Sequence, residues 1–127
     1  MNIFVCIKQV PDTETKIVPS QDGQFIETNS IKWIMNPYDE FAVEQALQVK
    51  TANSGSTVTV VRVGKVHDTE ALRTALAMGA DEAILVEAED NIDSYMTAKA
   101  LKGGIEKSGK NPDIIFTGKQ AIDDDCL

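Results

Sequence analysis

The chain has 127 residues, a net charge of −8, 43% hydrophobic and 25% charged residues, the composition of a globular protein read as one domain over 1–127 with enough chain to bury a core. The acidity excludes the basic face of a nucleic-acid reader and weighs against anionic membrane surfaces. No apolar run reaches the roughly 20 residues of a membrane span, so the chain is not expected to be membrane-embedded.

Met1-Asn2-Ile3-Phe4 begins directly in strand-like sequence, without the basic region, apolar segment and cleavage site of a signal peptide. This points to a cytoplasmic protein, or to one whose address has been removed. Ile3 to Val10 is a near-continuous apolar run, expected to form a central strand covered on both faces. Lys8 and Gln9 fall at its crevice-side end, and Pro11-Asp12 breaks it. Lys16 to Thr28 reads as an inserted β-hairpin, because Ile17-Val18 and Phe25-Ile26 flank a turn containing Asp22-Gly23. Ile31 to Met35 adds an extended piece in which Trp33 is expected to pack.

Asn36-Pro37-Tyr38-Asp39-Glu40 is the clearest helix start: Asn36 suits the N-cap, Pro37 the first helical position, and Asp39 and Glu40 the positive helix end. Ala42, Val43, Ala46 and Leu47 make one apolar stripe ending at Lys50. Thr57 to Val63 is a valine-rich strand closed by Gly64. The second helix, Thr69 to Met78, has Asp68 as its expected N-cap, Ala71, Leu72, Ala75 and Leu76 inward, and Gly79 at its end. Ala83 to Val86 is a third strand. Ile92 to Lys107 is a third helix with Tyr95, Ala98, Leu101 and Ile105 on one face, weakened by Gly103 and Gly104 at about 1 kcal/mol each relative to alanine. Ile114, Ile115 and Phe116 form a buried parallel strand that ends in Thr117-Gly118 and runs into Asp123, Asp124 and Asp125.

Strands alternating with helices imply right-handed crossovers. The fold class is α/β, an open, mainly parallel three-layer sheet with an inserted hairpin. The helix that should cover the fourth strand does not follow it here, so that strand's uncovered apolar face is expected to promote association.

Catalytic chemistry has little to stand on. His67 is the one histidine, in a loop, where a surface or capping role is commoner than a base. No serine or cysteine has an evident histidine partner, and neither a Walker loop nor G-x-G-x-x-G is present; the chain is not expected to be an enzyme. Cys6 and Cys126 match no metal or redox spacing, and read as a small buried residue and an incidental thiol. The triple aspartate could meet a hard cation, but adjacent side chains point different ways and the first turn of a helix favours carboxylates, so no metal site is expected. A binding crevice is the remaining option. Cys6-Ile7-Lys8, Val63-Gly64, Glu87-Ala88 and Gly118 to Asp125 converge there with the helix start at Asn36 to Asp39, an arrangement that suits an adenine nucleotide.

Ile3 to Asp12, Met35 to Ala46, and above all Arg73-Thr74-Ala75-Leu76-Ala77-Met78-Gly79-Ala80-Asp81 and Gly118-Lys119-Gln120-Ala121-Ile122-Asp123-Asp124-Asp125 resemble the β subunit of electron transfer flavoprotein. The resemblance spans the chain but covers only the N-terminal half of a family member. It implies a fold of the adenine-nucleotide-binding, flavodoxin-like type with strand order 3-2-1-4-5, its last helix and strand missing from this sequence, and a structural AMP, with FAD lying mostly in an α subunit. The assembled protein would take electrons from dehydrogenases, such as acyl-CoA dehydrogenase, to a quinone oxidoreductase. By position, the AMP contacts would be Cys6, Asn36, Pro37, Tyr38, Asp39, Val63, Asp123, Asp124, Asp125 and Cys126, with Tyr38 also near the partner's flavin. The family continues past the triple aspartate into a phosphate-holding turn and helix where this chain reads Cys126-Leu127; Lys119 and the amides near Asp123 are the expected substitutes. The alternative is a stand-alone, universal-stress-like adenine-nucleotide-binding protein.

Overall fold

Valine, isoleucine and phenylalanine dominate the segments that form strands, as expected of side chains that pack well on a pleated surface buried on both sides. The computed structural model describes residues 1–11, 33–65, 69–89 and 92–121. In chain order the elements are β1 (Asn2–Cys6), β2 (Gln9–Pro11), β3 (Trp33–Met35), α1 (Pro37–Ala52), β4 (Thr57–Gly64), α2 (Glu70–Met78), β5 (Glu82–Glu87), α3 (Ser94–Lys107) and β6 (Ile114–Thr117). Four strands form a parallel sheet in the order β5-β4-β1-β6. Numbered among themselves these are 3-2-1-4, in agreement with the expected order as far as four strands go. The expected hairpin at Lys16 to Thr28, and also His67, Asp68 and Asp123 to Cys126, lie outside the described residues.

Side chains alternate across the sheet and divide the core in two. Ile3, Val5, Val58 and Val60 face α1 and α2, packing on Ala42, Val43, Ala46, Ala71, Leu72 and Ala75. Phe4 and Val61 face α3 and pack on Ile105 and Leu101. The result is the expected three-layer arrangement, with two helices on one face and one on the other.

Several local expectations change. The apolar run Ile3 to Val10 is not one strand. Its amide partners on β4 end at Ile7, whose N–H donates to the Val61 carbonyl at 3.0 Å. Beyond it the chain leaves the sheet, and Gln9–Pro11 pairs antiparallel with Trp33–Met35 in a second small sheet. Gln9 turns into the core rather than to the crevice, and its side-chain oxygen accepts from the Ala71 N–H at the start of α2 at 3.1 Å. In β3 the buried side chain is Met35; Trp33 is 37% exposed. In α2, Leu76 is 42% exposed, because in a nine-residue helix Ala71, Leu72 and Ala75 already fill the narrow contact with the sheet.

α2 ends as read, on Gly79 at φ +126°, a backbone region that a side chain would strain. The following Asp81 carboxylate accepts from the Val58 N–H and from the Lys50 ammonium, each at 2.8 Å. The Lys50 hydrogen bond, more than any other influence, holds this acid below the ordinary carboxylate range. The Arg73–Asp81 motif is therefore a helix stop that ties α2 to the beginning of β4 and to the end of α1.

α3 starts at Ser94 rather than Ile92, because the Asp93 side chain caps it by accepting the Met96 N–H at 2.8 Å. Tyr95, expected inward, is 72% exposed, and Ala98 is exposed as well; the packing face is Leu101, Gly104 and Ile105. The two glycines of α3 are not equivalent. A Cβ on Gly103 would meet nothing within 4 Å, whereas one on Gly104 would lie 2.6 Å from Val86 Cγ2. Gly103→Ala is expected to raise unfolding stability by about 1 kcal/mol through helix propensity. Gly104→Ala should lose that gain to overpacking, which costs about 1–3 kcal/mol. Urea denaturation of the two variants checks this, and equal stabilisation by both would contradict the packing assignment.

β6 is an edge strand among the described residues and is covered on one face only. Ile114 and Phe116 pack towards α1 and its core, while Ile115, expected to be buried, is 48% exposed. Beside α3 this leaves an apolar groove of about 590 Å³ that Ile115, Leu101, Ile105 and Pro112 help to line.

Candidate functional site

The carboxyl ends of β1, β4 and β6 and the start of α1 meet around a second cavity of about 550 Å³. This is where an open parallel sheet presents its ligand crevice, since the strand order reverses between β1 and β6. Of the residues expected at a nucleotide, Cys6, Asn36, Asp39 and Val63 line the cavity together. Pro37 and Tyr38 do not line it; Tyr38 stands at the surface on the outer side of α1. The strand end expected at Glu87-Ala88 gives way to Glu89, and the opposite wall is Ile92, Ser94, Thr97, Ala98 and Leu101. Sequence reasoning missed that wall because it credited the first turns of α3 with core packing.

The polar side of the cavity is organised by Asp39. Its position within α1 follows from helical spacing: it shares a face with Ala42, Val43 and Ala46, and so points at the sheet. There it is 5% exposed and accepts the Lys8 N–H at 2.7 Å. The Gly118 N–H and the Asn36 side chain also hydrogen-bond to it. It was expected to complement the helix dipole and to contact the nucleotide; in the structure it joins the end of β1, the start of α1 and the exit of β6. Gly118 is required by this approach, because a Cβ there would run into the Asp39 carboxylate and lie 2.9 Å from the Tyr38 carbonyl carbon. Burial raises the Asp39 carboxyl above its ordinary range, against the opposing effect of its hydrogen bonds and of Lys8.

Asn36 occupies the expected cap position, and its carbonyl accepts from the Asp39 and Glu40 amides at 2.8 and 3.1 Å. Its side chain makes no cap hydrogen bond. The amide instead donates to the Gln120 carbonyl at 2.8 Å, and the Asn36 N–H donates to the Lys8 carbonyl at 2.8 Å. The loop 118–121 is thus fastened to α1 twice, once through Asp39 and once through Asn36, and Ala121 is buried behind it.

Cys6 stands between this cavity and the apolar groove and lines both. Burial, with the nearby Asp39 charge as the lesser cause, pushes its thiol up to about 11 from 9.0. Since only the thiolate is a nucleophile, alkylation of Cys6 at pH 8 should run on the order of a hundredfold slower than that of a free cysteine. The shift also has a sign for stability. The folded state holds this proton more tightly, so the contribution is fully present below pH 9 and is lost as pH rises towards 11. Iodoacetamide kinetics on a Cys126→Ser variant measure the first effect; labelling at the free-thiol rate would show that Cys6 is not shielded.

The described residues suit the base and ribose of a nucleotide. The cavity has the volume of a small-molecule site, an apolar wall in Val63, Ile92 and Leu101, and a polar wall in Lys8, Asn36 and Gln120. The first turn of α1 is less suited to a phosphate than its charge pattern suggested. Pro37 has no N–H, and the Asp39 and Glu40 amides are already bonded to Asn36. Among the described residues no group of three or more His, Cys, Asp or Glu side chains could hold a metal ion. Among them too, no helix is long and apolar enough to cross a membrane.

Residues 24–127 match the Electron transfer flavoprotein domain. The chain is 43% identical over 125 residues to the electron transfer flavoprotein subunit beta of Bradyrhizobium diazoefficiens, covering 98% of this chain and 49% of that protein. It is 43% identical to the mitochondrial beta subunit of Arabidopsis thaliana, covering 99% and 49% respectively. It is also 41% identical to the acryloyl-CoA reductase electron transfer subunit gamma of Anaerotignum propionicum, covering 98% and 47%. The chain spans about half the length of these relatives. With a matching domain over most of its residues and the three-layer parallel sheet to go with it, the chain belongs to the electron transfer flavoprotein family and corresponds to part of its beta subunit.

Proposed function

We propose that this chain supplies the nucleotide-binding part of an electron transfer flavoprotein beta subunit and holds AMP as a structural group in the crevice of β1, β4 and β6. The observation that carries the reading is the joining of Lys8, Asn36, Asp39 and Gly118 into one wall of that crevice. In this reading Val63 and Cys6 lie against the nucleotide, Asn36 shapes its polar wall, and Asp123, Asp124, Asp125 and Cys126 are its further contacts. Pro37 and Tyr38 act from the rim. The beta subunit pairs with an FAD-bearing alpha subunit, and FAD supplies the electron-transfer chemistry when bound. The assembly is a carrier rather than an enzyme. It takes electrons from dehydrogenases, with acyl-CoA dehydrogenase as the favoured class, and delivers them to a quinone oxidoreductase. A CoA thioester also appears in the name of the Anaerotignum relative. A cytoplasmic location is proposed, although the Arabidopsis relative is mitochondrial.

Isothermal titration with AMP tests the reading, with GMP as the control. Saturable, one-to-one AMP binding that GMP does not reproduce is the expected result. Lack of AMP binding would sink the nucleotide reading, and failure to co-purify with a co-expressed alpha subunit would sink the partner. Self-association without any alpha subunit would instead favour a stand-alone nucleotide-binding protein.

A further inference from the structure

We infer that Asp39 is a positioning residue for the nucleotide crevice, setting the place of the loop 118–120 through the Gly118 amide rather than contacting the nucleotide with its own charge. The inference rests on the AMP reading above and assigns Asp39 a different task from the direct contact its position in the family pattern implies.

Three observations support it. First, the carboxylate is already engaged: Lys8 N–H, Gly118 N–H and the Asn36 side chain all address it, and Asp39 is 5% exposed. A carboxylate with its acceptor sites turned to the protein has little left for a ligand. Second, its negative charge would repel a phosphate if aimed at one; held by three donors it faces the protein instead. Third, the loop meets α1 at this carboxylate. β6 is only four residues long and lies at the edge of the described sheet, and just beyond it the Gly118 N–H is bonded to Asp39 and the Gln120 carbonyl to Asn36. Asn36 itself hydrogen-bonds to Asp39, which joins the two ties.

A merely structural role is separated from positioning by a second buried residue of the same helix. Val43 is fully buried in the core on α1 but does not line the crevice. AMP affinity is measured by titration calorimetry for the unsubstituted protein, Asp39→Ala, Asp39→Asn and Val43→Ala, at a temperature where all are folded. Amide hydrogen exchange is followed at Lys8 and Gly118 without AMP. Asp39→Ala is expected to weaken AMP binding roughly tenfold or more, the loss of one charge-assisted hydrogen bond's worth of order in the loop. It should also speed exchange at both amides. Asp39→Asn keeps one acceptor and should recover part of each effect, and it carries the test if the alanine variant does not fold. Val43→Ala should lower stability yet bind AMP within about twofold of the unsubstituted protein. AMP affinity retained by both Asp39 variants, or lost equally by Val43→Ala, overturns the inference and leaves the AMP reading standing. No AMP binding by the unsubstituted protein overturns both.

Discussion

Asp39→Ala is expected to destabilise the protein by about 2–4 kcal/mol, the range for orphaning donors that a buried charged acceptor satisfied. The Lys8 N–H, 2.7 Å from the carboxylate, and the Gly118 N–H would both lose this acceptor and face a small void. The midpoint of urea denaturation should fall with little change in slope, because the loss is local and the surface exposed on unfolding stays the same. The group also carries a pH signature. Its folded-state value is raised, chiefly by burial, so the stability linked to its titration is fully present below the ordinary carboxylate range and is lost as pH rises through the folded value. That limb should disappear in Asp39→Ala. A loss below about 0.5 kcal/mol at neutral pH, the level of an ordinary surface substitution, would show that the carboxylate is not the joint described.

Gly118→Ala should cost about 1–3 kcal/mol through overpacking, and for a reason independent of glycine's conformational freedom. The added carbon would meet the Asp39 carboxylate and, at 2.9 and 3.0 Å, the Tyr38 carbonyl carbon and the Asp39 backbone nitrogen. Backbone at the start of a helix cannot rotate aside as a side chain can, so the loop must move. The two substitutions should also be coupled. In an Asp39→Ala background part of the obstruction is gone, and Gly118→Ala should cost less there than in the unsubstituted protein; a double-mutant cycle measures the difference. Strict additivity would mean that Gly118 and Asp39 do not share one contact.

Much of this arrangement was legible without coordinates. Apolar, β-branched runs marked β1, β4, β5 and β6, with Gly64 and Gly118 closing β4 and β6, and helical spacing marked all three helices. The Asn36-Pro37 and Gly79 punctuation located the start of α1 and the end of α2. What failed were assignments that depend on where a neighbour sits. Tyr95 and Leu76 keep helical spacing with buried residues, yet the sheet beneath α3 and α2 is too narrow to reach them. Ile115 reads as core by composition and is half exposed because β6 is an edge strand among the described residues. Gly104 reads as a weakness by propensity and is a contact because Val86 comes within reach of its backbone.

The sequence by itself determined the class of fold and the end of the sheet at which a crevice opens, since periodicity, punctuation and crossover handedness are local or topological properties carried by residue types; the strand order came with the family resemblance of its motifs. Its motifs also determined the family. Only the tertiary structure decided which polar residues of that crevice face inward. Asp39 became a buried joint and Asn36 a loop anchor because residues 31 and 84 positions away in the chain, Lys8 and Gln120, arrive beside them. Hydrogen bonds across such separations are set by packing, and no spacing rule within a helix announces them.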